Sequence, residues 1–596
     1  MLGEMTQSLA ERGPDRQQTW VGGRVGLGHA LFGTTSGSDR DLQPASLDDQ
    51  VWIVADARID AQAELRRELK GADRRVLPEA TDAELILHAY LAWGEDCVRH
   101  LLGDFVFAIW DARTQRIFCA RDHFGVKPFF FARVGERFIF SNSLECVRLH
   151  PRVSNTLNDL SIADHLLFEF IQDPTATVFA DIRRLAPAQA LSWSGDDVRT
   201  HTYWTLPDPG VRYREGEDYV ARFRELLSAA VSDRLRTDKV AAEMSGGLDS
   251  TSVTAIAKER MQATGRPFEL TAYAMVFDSL FDDPERRFAT LAAKQIGVPI
   301  EFSVADDFQL FEVEATGRPR PEPWHSPLPR MDTCTMAAVG DRSRVMLTGW
   351  DGDALLNESV KPYFRSLFRQ GRWFRLSTAM WKLSRRQKRI LPSSVREWFS
   401  RKPQPVYVPA YPSWLNPGFE QSLGLRERWD AFQREPGRAH PVRPAAFSAL
   451  GSLSSSYFDF CDAGVSGFPL EFRHPLLDLR LVEYCLSLPP IPWCYKKEIL
   501  RRAMVGALPD EVCNRPKTSL RGSPVALKMA EPDAVRIDEF VAFPALSRYV
   551  VREKIRILHR DSSPATWMDL RPLSLNFWLE GLQGAKTRFT TEGDAQ

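Results

Sequence analysis

The stretch Met244-Ser245-Gly246-Gly247-Leu248-Asp249-Ser250 constrains the fold more than any other. Before it, Val240-Ala241-Ala242 is a short apolar run, and after it Thr251 to Ala257 begins a helical pattern. A glycine loop between a buried strand and a helix leaves the first helix amides free to face an anion. Gly246 and Gly247 let the backbone approach phosphate oxygens with no Cβ in the way. Ser245 and Ser250 add hydroxyl donors, and Asp249 offers a hard carboxylate for a magnesium ion that phosphates would share.

Strands and helices alternate around this loop. An amphipathic helix over 218–236 carries Val220, Phe223, Leu227 and Val231 on one face. Apolar strands are expected at 271–277, 300–304 and 344–347, with a helix at 285–296. That alternation predicts a parallel sheet with ligands at the carboxyl ends of its strands. The loop is similar to the pyrophosphate loop of the ATP pyrophosphatases, which cleave ATP between its α and β phosphates. The resemblance implies ATP as cosubstrate, with the backbones of Met275 and Gly349 flanking the adenine.

At 596 residues the chain exceeds one core. A net charge of −1 supplies no global field for nucleic acid or an anionic membrane. No apolar run approaches the roughly 18 residues of a membrane span. The opening Met1-Leu2-Gly3-Glu4-Met5 lacks the basic segment and apolar core of a secretory signal. The eight cysteines stand singly, which argues against a zinc site or a disulfide framework and for a reducing cytoplasm.

The front of the chain reads differently. Strands are expected at 51–54, 116–120, 127–131 and 137–141, with a helix over 82–93, giving an antiparallel sheet with helices packed on it. Arg12-Gly13-Pro14-Asp15, Gly103-Asp104-Phe105 through Asp111, and Arg121-Asp122-His123-Phe124-Gly125-Val126-Lys127-Pro128 resemble the glutamine amidotransferase domain of the asparagine synthetase superfamily. That family uses an N-terminal cysteine to release ammonia from glutamine. Position 2 here is leucine, which has no nucleophilic atom, and Arg12-Gly13-Pro14-Asp15 comes too early to leave room for the family's opening strand, as either a misplaced start or a trimmed domain would give. Where the family places an Asn-Gly pair to hold the oxyanion, the chain runs Val54-Ala55-Asp56-Ala57-Arg58-Ile59-Asp60, and an aspartate there would repel the developing charge. The front region is therefore expected to be inactive, a scaffold or a surface that closes over the active site of the rear region, with Asp82 and Arg121 surviving as structural groups.

Three stretches of the rear region complete the resemblance. Leu347-Thr348-Gly349-Trp350-Asp351-Gly352-Asp353 matches a family loop whose last aspartate holds magnesium, so Asp249 and Asp353 would share the ion, with Asp351 as rival. Glu471 through Glu483 resembles the family's helical core signature, expected to floor the site through buried Arg and Asp pairing. Lys517, in Arg515-Pro516-Lys517-Thr518-Ser519, matches the lysine that neutralises charge on the adenylate and on the tetrahedral intermediate. Trp350 stands where β-lactam synthetase has a tyrosine that helps to deprotonate the nucleophile; an indole cannot take a proton that way. The nucleophile is then expected to need little help, as a peptide α-amine with a pKa of about 7.7–8.0 would.

Residues 364–409 add cations interleaved with Trp373, Phe374, Trp381 and Trp398, readable as a solvated helical face or as a surface for a peptide or partner protein. The expected fold class is α/β: an N-terminal antiparallel α+β amidotransferase-like domain, residues 1–205, followed by a parallel α/β domain of ATP-pyrophosphatase type with a helical C-terminal part, residues 206–596. Within the superfamily the chain looks most like the lasso peptide cyclases. This implies activation of an Asp or Glu side chain of a precursor peptide and its joining to the peptide's N-terminal amine, with a leader peptidase and a leader-binding protein as partners. An ammonia-dependent asparagine synthetase, a small-ring synthetase of the β-lactam type and a non-catalytic scaffold are the rivals.

Overall fold

The computed structural model describes residues 1–195, 197–213, 218–312, 320–324, 326–387, 410–434, 440–451, 458–516, 523–531, 540–555 and 564–591. The expected parallel sheet is present and has five strands, ordered in space Ile300–Val304, Glu269–Val276, Lys239–Glu243, Val345–Leu347, Glu471–Arg473. In chain order this is 3-2-1-4-5, with the strand that feeds the glycine loop at the centre. Parallel registers pair Ala242 with Ala272, Ala241 with Met346 and Leu347 with Arg473. Side chains alternate as the pleat requires. Val240, Ala242 and Leu270 pack with Phe223, Leu227, Val231, Val253 and Ile256 of two helices, Tyr219–Arg234 and Leu248–Ala263. Ala241, Tyr273 and Met346 face the other way, onto Met336, Val339, Cys461 and Phe472. With both faces covered, these strands read as apolar runs in the sequence.

The outermost strand corrects an expectation. Glu471 to Arg473 opens the stretch that resembles a helical signature, but it is an edge strand, and the helix starts only at Leu479. The expected pairing of Arg with Asp does occur there: Asp478 caps that helix, accepts from Arg480 and lies 3.1 Å from the Arg234 guanidinium.

In the front part, a six-stranded antiparallel sheet runs Asp197–Thr202, Gln189–Ser194, Arg116–Arg121, Gly103–Asp111, Val51–Ile59, Ala45–Ser46. The helix Asp82–Trp93, opened by a Thr81/Glu84 capping box, lays Leu85, Leu87 and Ala89 on the face formed by Ile53, Phe107, Ile109 and Phe118. A three-stranded sheet and the hairpin Arg16–Gly22/Val25–Leu31 complete this part. The strand expected at 127–131 begins instead at Phe130. The cause is Asp122, whose carboxylate accepts from the amides of Phe124, Val126 and Lys127 and holds that segment as a loop.

A buried ionic seam joins the two parts. Arg58 donates to Asp60 at 2.9 Å and to Asp104 at 2.7 Å; Asp60 in turn lies 3.3 Å from Arg234 of the rear part. Beside it, Asp56 takes Arg12 at 2.6 Å and Lys127 at 2.7 Å, while Arg12 also pairs with Asp462. Glu471 accepts from Thr34, and Arg473 donates to the Thr34 carbonyl at 3.0 Å. Among the described residues, no helix is long and apolar enough to cross a membrane.

Candidate functional site

A sheet ordered 3-2-1-4-5 reverses direction between its central strand and the strand Val345–Leu347, and the crevice at the carboxyl end of that reversal is where such sheets take ligands. The two loops predicted to carry the chemistry are the ones that flank it. The first, Ser245 to Gly247, enters the helix Leu248–Ala263 with Gly247 as the N-cap; the Gly247 amide donates to the Ser245 hydroxyl at 3.4 Å, while no capping side chain covers the first helical amides, leaving them available to an anion. Gly246 adopts φ 72°, and a Cβ there would lie 2.6 Å from the Ala289 nitrogen, so only glycine fits. Ser245 is exposed at the crevice, and its hydroxyl lies 3.3 Å from that of the buried Ser250.

The second loop is pressed against the first. A Cβ at Gly349 would stand 2.3 Å from the Ser250 nitrogen, and one at Gly352 2.5 Å from the Asp249 carboxyl carbon. These contacts bring Asp249 and Asp353 to one place, where both meet the same cation. Lys497 pairs with Asp249 and lies 2.9 Å from Asp353. Lys497 is itself held by left-handed backbone, φ 57°, ahead of the helix Glu498–Ala503. Two carboxylates converging on one ammonium form a donor set suited to a cation. Among the described residues no group of three or more His, Cys, Asp or Glu side chains gathers as a metal site, so an ion here would need phosphate oxygens as further ligands. Asp351 takes a left-handed turn, φ 67°, and burial pushes its carboxyl up to about 6.

Met275 lies near the end of the strand Glu269–Val276, on the side of the crevice away from the acidic loop. Lys517 falls outside the described residues. Its neighbour Arg515 is placed: it donates to the Gly246 carbonyl at 3.3 Å, pairs with Glu285 at 2.6 Å and lies over the Phe288 ring. The segment that leads to Lys517 is thus tied to the glycine loop.

Two further groups were not singled out from the sequence. Lys497 stands immediately before the helix Glu498–Ala503, and the available signal was two adjacent lysines opening that helix. Glu243 ends the central strand, and the Trp350 indole N–H donates to it at 2.8 Å. An acidic residue closing an apolar strand next to the loop was the available clue. Trp350 stacks on Phe460 at 5.5 Å and lies 5.3 Å from His474, whose Nδ1 lies 2.8 Å from the Thr348 hydroxyl.

The front part contains a cavity of about 310 Å³ that reaches the rear part at Phe472 and His474, with Arg12, Asp56 and Lys127 in its lining. Burial alone would raise the Asp56 carboxyl, but Lys127 and Arg12 hold it down at about 2. Asp82 accepts from the Ile59 amide and pairs with Arg236 at 2.8 Å. Arg121 donates to the carbonyls of Gly125, Lys127 and Leu185. Both are engaged in holding backbone.

Two family models match the chain: one described as a glutamine amidotransferase domain over residues 1–204, and one described as asparagine synthase over 222–580. Asparagine synthetase (glutamine-hydrolyzing) 3 of Bacillus subtilis (strain 168) is 27% identical over 546 residues, 87% of this chain and 83% of that protein. A putative asparagine synthetase (glutamine-hydrolyzing) 2 of Methanocaldococcus jannaschii is 29% identical over 302 residues, 47% of this chain and 58% of that protein. Amidase chry2 of Gibberella zeae is 26% identical over 343 residues, 54% of this chain and 49% of that protein.

Proposed function

The chain belongs to the asparagine synthase family, and on that premise we propose that it is a macrolactam synthetase of the lasso peptide type. Membership makes it an ATP-dependent carbon–nitrogen ligase that forms AMP and pyrophosphate. In the proposed reaction an Asp or Glu side chain of a precursor peptide attacks the α-phosphorus of ATP, and the peptide's N-terminal amine then displaces AMP from the acyl-adenylate. The amine is delivered by the folded peptide itself, so proximity replaces a diffusing nucleophile.

The observation that carries the reading is Asp56, paired with both Arg12 and Lys127 inside the front cavity. An ionised carboxylate held by two cations is acceptor-only and donates no hydrogen bond to the oxyanion that glutamine hydrolysis would create. Nitrogen then comes from another source, and a peptide amine is one that needs no glutaminase.

In the rear crevice, the amides that follow Gly246 and the hydroxyls of Ser245 and Ser250 would hold the departing pyrophosphate. Met275 and Gly349 would line the adenine. Asp249 and Asp353 would hold Mg2+, with Lys497 the cation that gives way, and a bound ion would offset the charge of the β and γ phosphates. Lys517 would neutralise the α-phosphate and the carbonyl oxygen. A leader peptidase and a leader-binding protein would supply the trimmed precursor, in the cytoplasm.

A second reading has its own support: the Bacillus subtilis relative is an asparagine synthetase matched over most of both chains. Supplying ATP with either aspartate and ammonia or a leader-free acidic precursor peptide separates the two. Cyclisation predicts AMP release with the peptide and a product lighter by one water. Turnover with aspartate and none with peptide would sink it.

A further inference from the structure

Trp350 removes a proton acceptor from the acidic loop, yet amide formation from an adenylate must discard a proton. The structure puts a carboxylate next to the indole. We propose that Glu243 is the general base that takes this proton from the attacking amine. The inference rests on the amide-forming reaction above, but not on which carboxylate is activated.

Its position argues for it first. Glu243 is the last residue of the central strand, two residues before Ser245, and Trp350 follows Gly349 at the end of the neighbouring strand. Both therefore lie at the carboxyl ends of the two strands that border the crevice. By the alternation of the pleat, Glu243 shares a face with Ala241, the face on which Trp350, Phe460 and Cys461 pack. It is half-buried, so it is neither sealed into the core nor free in solvent.

Its partner argues for it next. Among the described residues no Lys, Arg or His pairs with Glu243; the group that holds it is a neutral indole N–H. A cation would have lowered its basicity, whereas burial raises it. A carboxyl whose basicity is moved toward the working pH makes the better base. Trp350 meanwhile aims one oxygen and leaves the second to accept. Ending an apolar strand in a carboxylate with no ionic partner among the described residues is unfavourable for folding alone.

The step balances as follows. The amine nitrogen forms its bond to the acyl carbon, and one N–H proton passes to a Glu243 oxygen. The carbon–oxygen bond to phosphate then breaks, AMP departs with the electron pair, and Glu243 returns its proton to water.

The test compares two nucleophiles in the full-length protein. Hydroxylamine is unprotonated at neutral pH and needs no base, so it traps the acyl-adenylate as a hydroxamate. Glu243→Gln preserves shape and still accepts from Trp350. It should lower amide formation from the cleaved peptide about 10²–10⁴-fold while hydroxamate formation stays close to that of the wild type. Trp350→Phe, which keeps the ring but removes the donor, should lower amide formation less and in the same selective way. Equal loss of hydroxamate and amide in Glu243→Gln, or loss of neither, overturns the assignment. Should the wild type turn over aspartate instead of peptide, the cyclase reading fails separately, and the same comparison is made with aspartate and ammonia.

Discussion

Individual residues set the crevice by what they lack as much as by what they carry. Gly352 is the clearest case: the space its Cβ would fill is taken by the Asp249 carboxyl carbon, 2.5 Å away. Gly352→Ala should therefore displace Asp249 from Asp353 and raise the KM for ATP by roughly tenfold to a hundredfold. The fold should survive, because the clash is with a side chain end; unchanged ATP kinetics together with a normal circular dichroism spectrum would contradict this. The pairing of Lys497 with both carboxylates leads to a second expectation. Lys497→Met should lower activity while weakening the dependence of protein stability on added magnesium less than Asp249→Asn does, as read by thermal shift with MgCl2 in the presence of pyrophosphate. The sequence carried Asp249, Asp353 and the glycines openly, since each lies in a short local motif. Lys497 and Glu243 acquired significance only through partners 248 and 107 residues away.

At the level of elements, local pattern predicted most strands and helices where burial is simple. The helix 285–296 and the strand 300–304 lie where periodicity places them. Elements were missed where their sequence is polar or their pairing distant. Asp197–Thr202 is nearly all exposed, an edge strand with no apolar alternation to betray it. Glu471–Arg473 has the length of a turn and becomes a strand only because Val345–Leu347 offers it an edge. The helix Tyr219–Arg234 ends in Arg234, which ties it to Asp478 and Asp60 at once. Breaking one member of such a buried ionic group leaves the others uncompensated. Arg234→Met should cost about 3–5 kcal/mol, measured as a lower urea midpoint, with the rear crevice affected only through reduced folding. A midpoint within error of the wild type would mean that the seam contributes little.

For the molecule as a whole, the seam between the front and rear parts is the feature with the largest consequence. Asp56 connects them through Arg12 to Asp462, and its carboxyl, with a value of 3.8 when free, is held at about 2 in the fold. A folded value below the unfolded one gives stability that is present above about pH 4 and is lost as pH falls toward 2. The stability advantage of the wild type over Asp56→Asn should accordingly be full at pH 7 and shrink between pH 4 and 2. An advantage independent of pH would show that Asp56 acts through shape alone. The sequence by itself determined the glycine loop between strand and helix, the alternation that makes a parallel sheet, the placement of Asp249 and Asp353 in two glycine loops and the amidotransferase-like front, because each is written in residues close together along the chain. Tertiary structure alone decided that Lys497 stands between two aspartates, that Trp350 holds Glu243 and that Asp56 is locked by Arg12 and Lys127. Those contacts join residues tens to hundreds of positions apart, and their energies depend on burial and charge pairing that no local pattern encodes.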